Sequence, residues 1–399
     1  MANTTTYQCP NCNGRLVFDG SEGKLRCEFC TSLFTPQEIE ALYAAKQEQA
    51  DAKVSGDRKD EIDSTQVSAA AASTNEAVHV QPAKTELTGD PIQDYIAQSK
   101  WSSAETDNLR AFNCPACGAQ LLVDQVTAVT SCPYCGNNAV VPGQLSDVLK
   151  PDYVIPFKLD RNAAIAALNS FYGGKPLLPD SFTANNHIEE VQGVYVPFWL
   201  YTGTVKASAS FDAMNMRTWS DSKNQYTDTD HFDLYREGTM KFQGVPVDGS
   251  TKMPDAHMDA IEPFDYSEMV PFSVAYLPGY ITDRYDLDVR ECDDRATRRV
   301  SNTALEEMEG TASGYMEIHT SSHSEKVTWT HIAYALLPVW MLHTKWNGTD
   351  YLFAMNGQTG KLIGDLPIDK GKKTKRFLML FLPIMIILAI AIFSIFGIF

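Results

Sequence analysis

No run in this chain is built to cradle a nucleotide phosphate. The pattern G-x-x-x-x-G-K-[ST] is absent; Gly357-Gln358-Thr359-Gly360-Lys361-Leu362 is too short and lacks the hydroxyl. Neither the G-x-S-x-G of a hydrolase elbow nor the H-E-x-x-H of a zinc protease occurs. Positive charge is scarce: 33 Lys and Arg stand against 50 Asp and Glu, a net charge of −17. That balance argues against a protein that clings to phosphate backbones. No secretory signal precedes the first cysteine, so an oxidising compartment and a disulfide framework are not expected. Of nine cysteines only Cys292 stands outside the pattern described next; it falls in a helical pattern and reads as a buried apolar residue.

What the chain does have is one metal pattern used twice. Cys9-Pro10-Asn11-Cys12 is followed after fourteen residues by Cys27-Glu28-Phe29-Cys30. Cys114-Pro115-Ala116-Cys117 is followed after the same fourteen by Cys132-Pro133-Tyr134-Cys135. C-x2-C…C-x2-C is the four-thiolate zinc array, because two cysteines bracketing a tight turn face one ion and two such turns close a tetrahedron. Arg15–Phe18 and Lys24–Arg26 read as paired strands between the first two turns, and Ala119–Val123 with Ala128–Ser131 repeat the arrangement. These are two zinc ribbons, and two zinc ions are expected. The Cys-Pro-x-Cys-Gly knuckle also suits rubredoxin-type iron; a closed four-sulfur site needs no redox partner, which favours structural zinc. A thioredoxin-like site would need a βαβ unit, absent here. Gly118 and Gly136 follow the second knuckle cysteines of the later ribbon, where a positive φ is convenient. Asn13 and Thr31 hold those places in the earlier one, and a β-branched Thr adopts that conformation poorly. A chelator should therefore strip the first ribbon before the second.

In chain order the reading is: ribbon 1 at residues 1–35; a helical and disordered linker at 36–90; a helix and ribbon 2 at 91–148; a β-rich body at 149–368; a basic segment at 369–376; and a membrane helix at 377–399. The linker's Ser, Thr, Ala and Gln run from Val54 to Asp90 cannot bury enough surface to offset its ordering entropy, and it should let ribbon 1 roam. Asp90-Pro91 starts a helix, and the segment Ile92–Phe112 is expected to pack on ribbon 2.

In the body, Asp160 caps a helix over Arg161–Tyr172 that stops at Gly173. Strand patterns run from Ile188 to Phe242 and from Tyr315 to Leu362. Between them Tyr285, Val289, Cys292, Ala296, Val300, Ala304 and Met308 mark one face of a helix starting at Thr282 or Asp283 and stopping at Gly310. Asp286, Asp288, Asp293 and Asp294 fall on its solvent side. Trp346-Asn347-Gly348-Thr349 is a hairpin turn, with a second turn at Asn356-Gly357. Thr227–His231 reads as an exposed polar turn, and Ser321-Ser322 as a turn separating His319 from His323. Val196-Pro197-Phe198-Trp199-Leu200 resembles Leu337-Pro338-Val339-Trp340-Met341, which suggests two related antiparallel β units; Trp199 and Trp340 read as core. The fold class is α+β: two small zinc ribbons, an antiparallel β-rich body with helices, and a C-terminal transmembrane helix.

Phe377–Phe399 is twenty-three residues without a charge. As a helix it reaches about 34 Å, enough for the hydrocarbon core of a bilayer. Lys370, Lys372, Lys373, Lys375 and Arg376 stand just before it and mark the cytoplasmic side. A tail anchor with the rest of the chain cytoplasmic follows, the acidic body standing off the membrane on a short stalk.

Several stretches carry a family resemblance: Cys132-Pro133-Tyr134-Cys135-Gly136 through Lys150–Phe157, Tyr195–Trp199, Leu277-Pro278-Gly279-Tyr280 with Asp283-Arg284-Tyr285-Asp286, and Asn356–Lys361. Together they resemble the membrane-anchored TFIIB-type zinc-ribbon proteins of Gram-positive bacteria, the YdjG-like group. Such proteins are often labelled primosomal helicases, which the missing nucleotide motif does not support. The resemblance implies a membrane adaptor that recruits protein partners of the phage-shock and SPFH or virion-core-like type in envelope stress. The expectation is thus a non-enzymatic scaffold contacting protein partners and the lipid bilayer. A nucleic-acid-binding ribbon protein is the second reading, and an enzyme with an unrecognised site in the body is the third.

Overall fold

A computed structural model of the chain describes residues 7–45, 89–99, 101, 109–124, 129, 131–138, 140–142, 149–184 and 191–396. Of the expected linker at 36–90, residues 46–88 lie outside the described residues. The molecule is α+β, organised around an eleven-stranded sheet.

The first ribbon is a separate three-stranded sheet, β1 (Leu16–Asp19), β2 (Lys24–Cys27) and β3 (Leu33–Phe34). A helix over 36–45, α1, follows a capping box: Glu38 N–H donates to Thr35 Oγ1 at 3.2 Å and Thr35 N–H to Glu38 Oε2 at 2.7 Å. Helix α2 (Pro91–Gln98) has the expected Asp90 cap, whose carboxylate accepts from Ile92 N–H. It packs on the body rather than on ribbon 2: Tyr95 donates to Asp152 Oδ2 at 2.8 Å and meets Trp199 edge-on. An apolar stripe docks wherever the largest apolar surface lies, and that is the body.

The large sheet runs β10 (Val270–Pro271), β7 (Tyr153–Val154), β12 (Glu317–Trp346), β8 (Gln192–Ser220), β11 (Ile281–Asp283), β5 (Gln120–Asp124), β4 (Leu109–Asn113), β6 (Val141–Pro142). Off this path, β9 (Gln225–Asp248) pairs with β8, β13 (Thr349–Asn356) with β12, and β14 (Leu362–Gly364) with β13. Strand alternation divides the apolar residues at the centre of the sheet between two layers, and a third cluster around Val205, Phe211, Val300 and Ala304 lies further along the strands. Val194, Val196, Phe198, Leu337 and Val339 face one apolar layer; Tyr195, Trp199, Tyr201, Leu336 and Trp340 face the other. Helix α3 (Arg161–Tyr172), capped by Asp160 as expected, and the first ribbon share the second layer. Helix α5 (Asp255–Ile261) and the second ribbon share the first. A short helix, α4, covers Asp180–Ala184.

The proline-tryptophan repeat lies across a local two-fold axis. Val196 pairs with Leu337 in antiparallel register, so each copy of the motif faces the other. What surrounds them is duplicated in detail. Gly249 N–H donates to Pro197 O at 2.9 Å, and Gly357 N–H to Pro338 O at 2.8 Å. Gly249 O accepts from Asp286 and Leu287, Gly357 O from Lys158 and Leu159. Trp199 Nε1 donates to Leu287 O at 3.0 Å, Trp340 Nε1 to Leu159 O at 2.9 Å. Tyr285 meets Trp199, and Phe157 meets Trp340, each at 5.2 Å and near 60°. Strand β11 runs parallel to β8 as β7 runs parallel to β12. Asp288 then accepts from Glu291 N–H as Asp160 accepts from Ala163 N–H. The body is therefore two strand–helix–hairpin units joined in one continuous sheet.

Four expectations are corrected here. The long helix, α6, spans Asp293–Gly310, not from residue 282. Residues 281–283 are taken by a sheet strand and Asp288 closes a turn, so only Ala296, Val300, Ala304 and Met308 of the expected face are buried on the helix itself. Buried Cys292 precedes it. Nor are all four acidic residues idle: Asp286 binds Thr251 and Lys252, and Asp293 accepts from Trp329 Nε1. Thr227–His231 is strand, inside β9, with Asp228 and Asp230 bonding Trp219 and Arg217 across the hairpin. Ser321 is a bulge inside β12, not a turn. Long-range backbone pairing to β8 holds these polar stretches extended, and nothing in their own sequence announces it. The hairpin at Asn347-Gly348 is as expected, with φ of 49° and 80°.

Candidate metal centres

All nine cysteines are free thiols, and eight form two clusters. Cys9, Cys12, Cys27 and Cys30 have their sulfurs within 4.8 Å of one another, and so do Cys114, Cys117, Cys132 and Cys135. The closest pairs are Cys9–Cys30 and Cys12–Cys27 at 3.4 Å, then Cys114–Cys135 and Cys117–Cys132 at 3.6 Å. Metal–thiolate bonds of about 2.3 Å in a tetrahedron would place sulfurs about 3.8 Å apart, so each cluster can hold one ion. Among the described residues these are the clusters of metal-ligating side chains.

Each of the four knuckles folds in the same way. The N–H of the residue after the second cysteine returns to the first cysteine's carbonyl: Asn13 to Cys9 at 2.8 Å, Thr31 to Cys27 at 3.0 Å, Gly118 to Cys114 at 2.8 Å, Gly136 to Cys132 at 2.9 Å. That bond requires the left-handed region, and φ is 63°, 59°, 73° and 66° respectively. Thr31 therefore does occupy a conformation its branched side chain resists. The thiols of each cluster shift in opposite directions: burial pushes Cys9, Cys117 and Cys132 up, neighbouring sulfurs push Cys12 up, and Cys30 and Cys114 are drawn down. The Ser32 hydroxyl and N–H beside Cys30 draw its thiol down to about 6. At Cys114 burial works the other way, but N–H groups of Cys117 and Ala116 bring it to about 6.

The two ribbons are seated differently. In ribbon 1, Cys12 and Cys30 are exposed; in ribbon 2, Cys117 and Cys135 are half-buried. Of the strand expected at 128–131, residues 128 and 130 lie outside the described residues. Ribbon 2's strand β5 pairs with β4 on one side and with β11 of the body on the other, so it is part of the main sheet. Tyr134, inside its second knuckle, is 6% exposed. The phenol donates to Asp283 Oδ2 at 2.5 Å, and Ser250 Oγ donates to the same oxygen at 2.7 Å. Burial pushes the Asp283 carboxyl up to about 7, and neighbouring Asp248 is raised as well, mainly by burial. Asp248 and Ser250 occupy in their unit the places of Asn356 and Gln358 in the other. There the same turn grips the loop 261–268 instead, through Asn356 to Ile261 O and Gln358 to Asp265.

Ribbon 1 is seated against the body rather than standing apart from it. Phe18 N–H donates to Pro278 O at 3.0 Å, Tyr280 OH to Phe18 O at 3.3 Å, and Ser273 bonds Glu40. Phe18 packs edge-on against Tyr276. Gly20 lies so close to the Phe157 carbonyl that a Cβ there would sit 2.0 Å from its oxygen. The cleft between ribbon and body encloses about 750 Å³, and its charged groups engage one another, as in Arg26 with Asp19 at 2.6 Å. Ribbon 1's second knuckle points elsewhere. Phe29 stands where Tyr134 stands in ribbon 2, and it is 76% exposed. No motif in the sequence marks Phe29, Tyr134, Asp248 or Asp283 as the residues that seat or expose a knuckle. Laying the two knuckles side by side, Glu28-Phe29 against Pro133-Tyr134, would have raised the first pair.

Helix α7 spans Lys370–Phe396 and contains Pro383. Its 22 residues Lys370–Ala391 are long and apolar enough to cross a membrane, and none is buried. No stalk separates it from the body. Asp369 N–H donates to Leu177 O at 2.9 Å, and Lys372 Nζ donates to Leu178 O at 2.8 Å and Asp180 Oδ1 at 2.7 Å.

Compared with known proteins, the chain is 28% identical over 311 residues to the uncharacterised protein YdjG of Bacillus subtilis (strain 168). The match covers 66% of this chain and 91% of the relative. It fits the resemblance drawn from the motifs, and the relative's name assigns no activity. No protein-family model matches the chain, and no solved structure matches it.

Proposed function

We propose that this chain is a non-enzymatic membrane adaptor. Zinc closes each ribbon, α7 holds the molecule at the bilayer with the body on the cytoplasmic side, and the knuckle of ribbon 1 is offered to a protein partner. One observation carries this reading: at one position of two like knuckles, Tyr134 is 6% exposed and Phe29 is 76% exposed. Tyr134 is what that position does when it meets an acceptor surface. A large aromatic left in water on a metal-stiffened turn costs little ordering entropy when a partner covers it, as binding anchors do. The cations at Lys370, Lys372, Lys373, Lys375 and Arg376 favour the cytoplasmic side for the body. Thiolates alone, with no open ligand position, suit structural zinc. The phage-shock and SPFH or virion-core-like proteins implied by the motif resemblance are the first partners to try.

The test is a photo-crosslinking residue at position 29 in the full chain, in membranes, with position 22 on the β1–β2 turn as control. Crosslinks to protein at 29, lost on Cys27→Ser, are expected. Equal labelling at both positions, or no protein adduct at 29, would sink the adaptor reading. Tight, salt-sensitive DNA binding by the full chain would favour the nucleic-acid reading instead.

A further inference from the structure

Where α7 leaves the body, the fold makes a basic cavity. The loop after α3 and the first turn of α7 are held together by the bonds of Asp369 and Lys372 described above. Between them lies a space of about 540 Å³, lined by Tyr172, Lys175, Leu178, Asp180, Lys372 and Arg376 together with Gly174 and Pro176. Lys175 carries its ammonium 4.7 Å from the centre of the Phe171 ring, which holds that charge near the rim. Arg376 follows Lys372 by four residues and so faces the same way from the helix. Three cations thus meet one carboxylate, Asp180, which already shares Lys372. In a chain of net charge −17 that local excess is not the general character of the surface.

Position narrows the ligand. Phe377, directly after Arg376, begins the uncharged stretch. Lys372 and Arg376 are separated by about 6 Å along the helix, close to the depth of one headgroup layer. An ammonium and a guanidinium fork suit the oxygens of a phosphate. We propose that this cavity binds the phosphate-bearing headgroup of an anionic phospholipid, whose acyl chains run down the exposed face of α7. The proposal rests on α7 being a membrane span.

The full chain is reconstituted into nanodiscs of phosphatidylcholine with a minor share of phosphatidylglycerol, extracted in mild detergent, and its retained lipid counted by native mass spectrometry. Phosphatidylglycerol should be retained over phosphatidylcholine. Lys175→Gln with Arg376→Gln should cut that retention about thirtyfold, as the loss of two cation contacts. Lys373→Gln with Lys375→Gln, on the same helix but outside the cavity, should change it several-fold less, since in detergent no anionic bilayer surface is left for outlying charges to attract and they lack the converging wall. Equal loss from both pairs would mean a diffuse basic collar and overturn the site. Complete displacement of the lipid by millimolar inorganic phosphate would mean a soluble-anion site and overturn it too. Liposome flotation of the wild-type chain separates these outcomes from a failure of the span itself, and matching unfolding curves exclude misfolded variants.

Discussion

The two ribbons share a ligand set, a loop length and four superimposable turns, yet one is a limb of the main sheet and the other is an attachment to it. Ribbon 2 lends β5 to the sheet and drives Tyr134 into an apolar layer, where Asp283 receives it. Ribbon 1 keeps its strands to itself, touches the body through the face around Phe18, and leaves Phe29 and two of its four cysteines in water. The same four-cysteine scaffold is thus built into the sheet in one case and left with an exposed knuckle in the other. The aromatic between the second pair of cysteines records which.

The contrast is broken most severely at a metal ligand. Cys132→Ser should destabilise the whole body, since a structural ion is worth about 10–16 kcal/mol in small metal-folded peptides and β5 depends on it. Cys27→Ser should loosen ribbon 1 alone. Hydrogen exchange read peptide by peptide checks this, and loss of protection throughout the sheet from Cys27→Ser would erase the distinction. Next in size is Tyr134→Phe, which strips a buried carboxyl of a donor and should cost about 1–3 kcal/mol in urea unfolding. Phe29→Ala should cost under about 0.5 kcal/mol, as an exposed substitution.

Metal release separates the ribbons further. A chelator should empty ribbon 1 first, because Cys12 and Cys30 are exposed and Thr31 is strained. Thr31→Gly should slow that phase and add about 1 kcal/mol to ribbon 1 by relieving the left-handed conformation. Gly136→Ala should speed the second phase: its Cβ would meet His343 Nδ1 at 2.6 Å and sit at a φ of 66°. Two-step zinc release followed with a colorimetric indicator reads both; simultaneous release from the wild type would count against the order.

Ribbon 2's seat should also carry a pH slope of its own. The Asp283 carboxyl titrates at about 7 in the folded chain, raised mainly by burial. An unfolded Asp loses its proton near about 4. The folded state therefore holds an extra proton across that window. Its stabilising share is complete below about pH 4 and is lost as pH rises through about 7. Asp283→Asn should remove this slope between pH 6 and 8, with zinc in excess. Unchanged pH dependence in the variant would place the titration elsewhere.

Much of this was legible in the chain. The cysteine spacings, the left-handed sites after them, the caps at Asp90 and Asp160 and the turn at Asn347-Gly348 all depend on bonds between near neighbours, and such bonds leave a local signature. The repeat around Trp199 and Trp340 was visible as sequence, but the axis relating its copies was not. What stayed hidden depends on distant partners. β5 found β11 across more than 150 residues, and α6 lost its expected first ten positions because residues 281–283 were claimed by the sheet. The serines and threonines around 320 are held extended by pairing with β8, not by any pattern of their own. Ribbon 1's attachment was missed because the glycines and prolines that permit it, Gly20, Gly279 and Pro278, carry no apolar signal.

The clamp between Asp369, Lys372 and the loop at 177–180 has a mechanical consequence. A rod seated rigidly in a plate cannot lean without turning the plate. With α7 in a bilayer, as proposed, any change in thickness that tilts it would swing the whole sheet, and with it the direction in which Phe29 is presented.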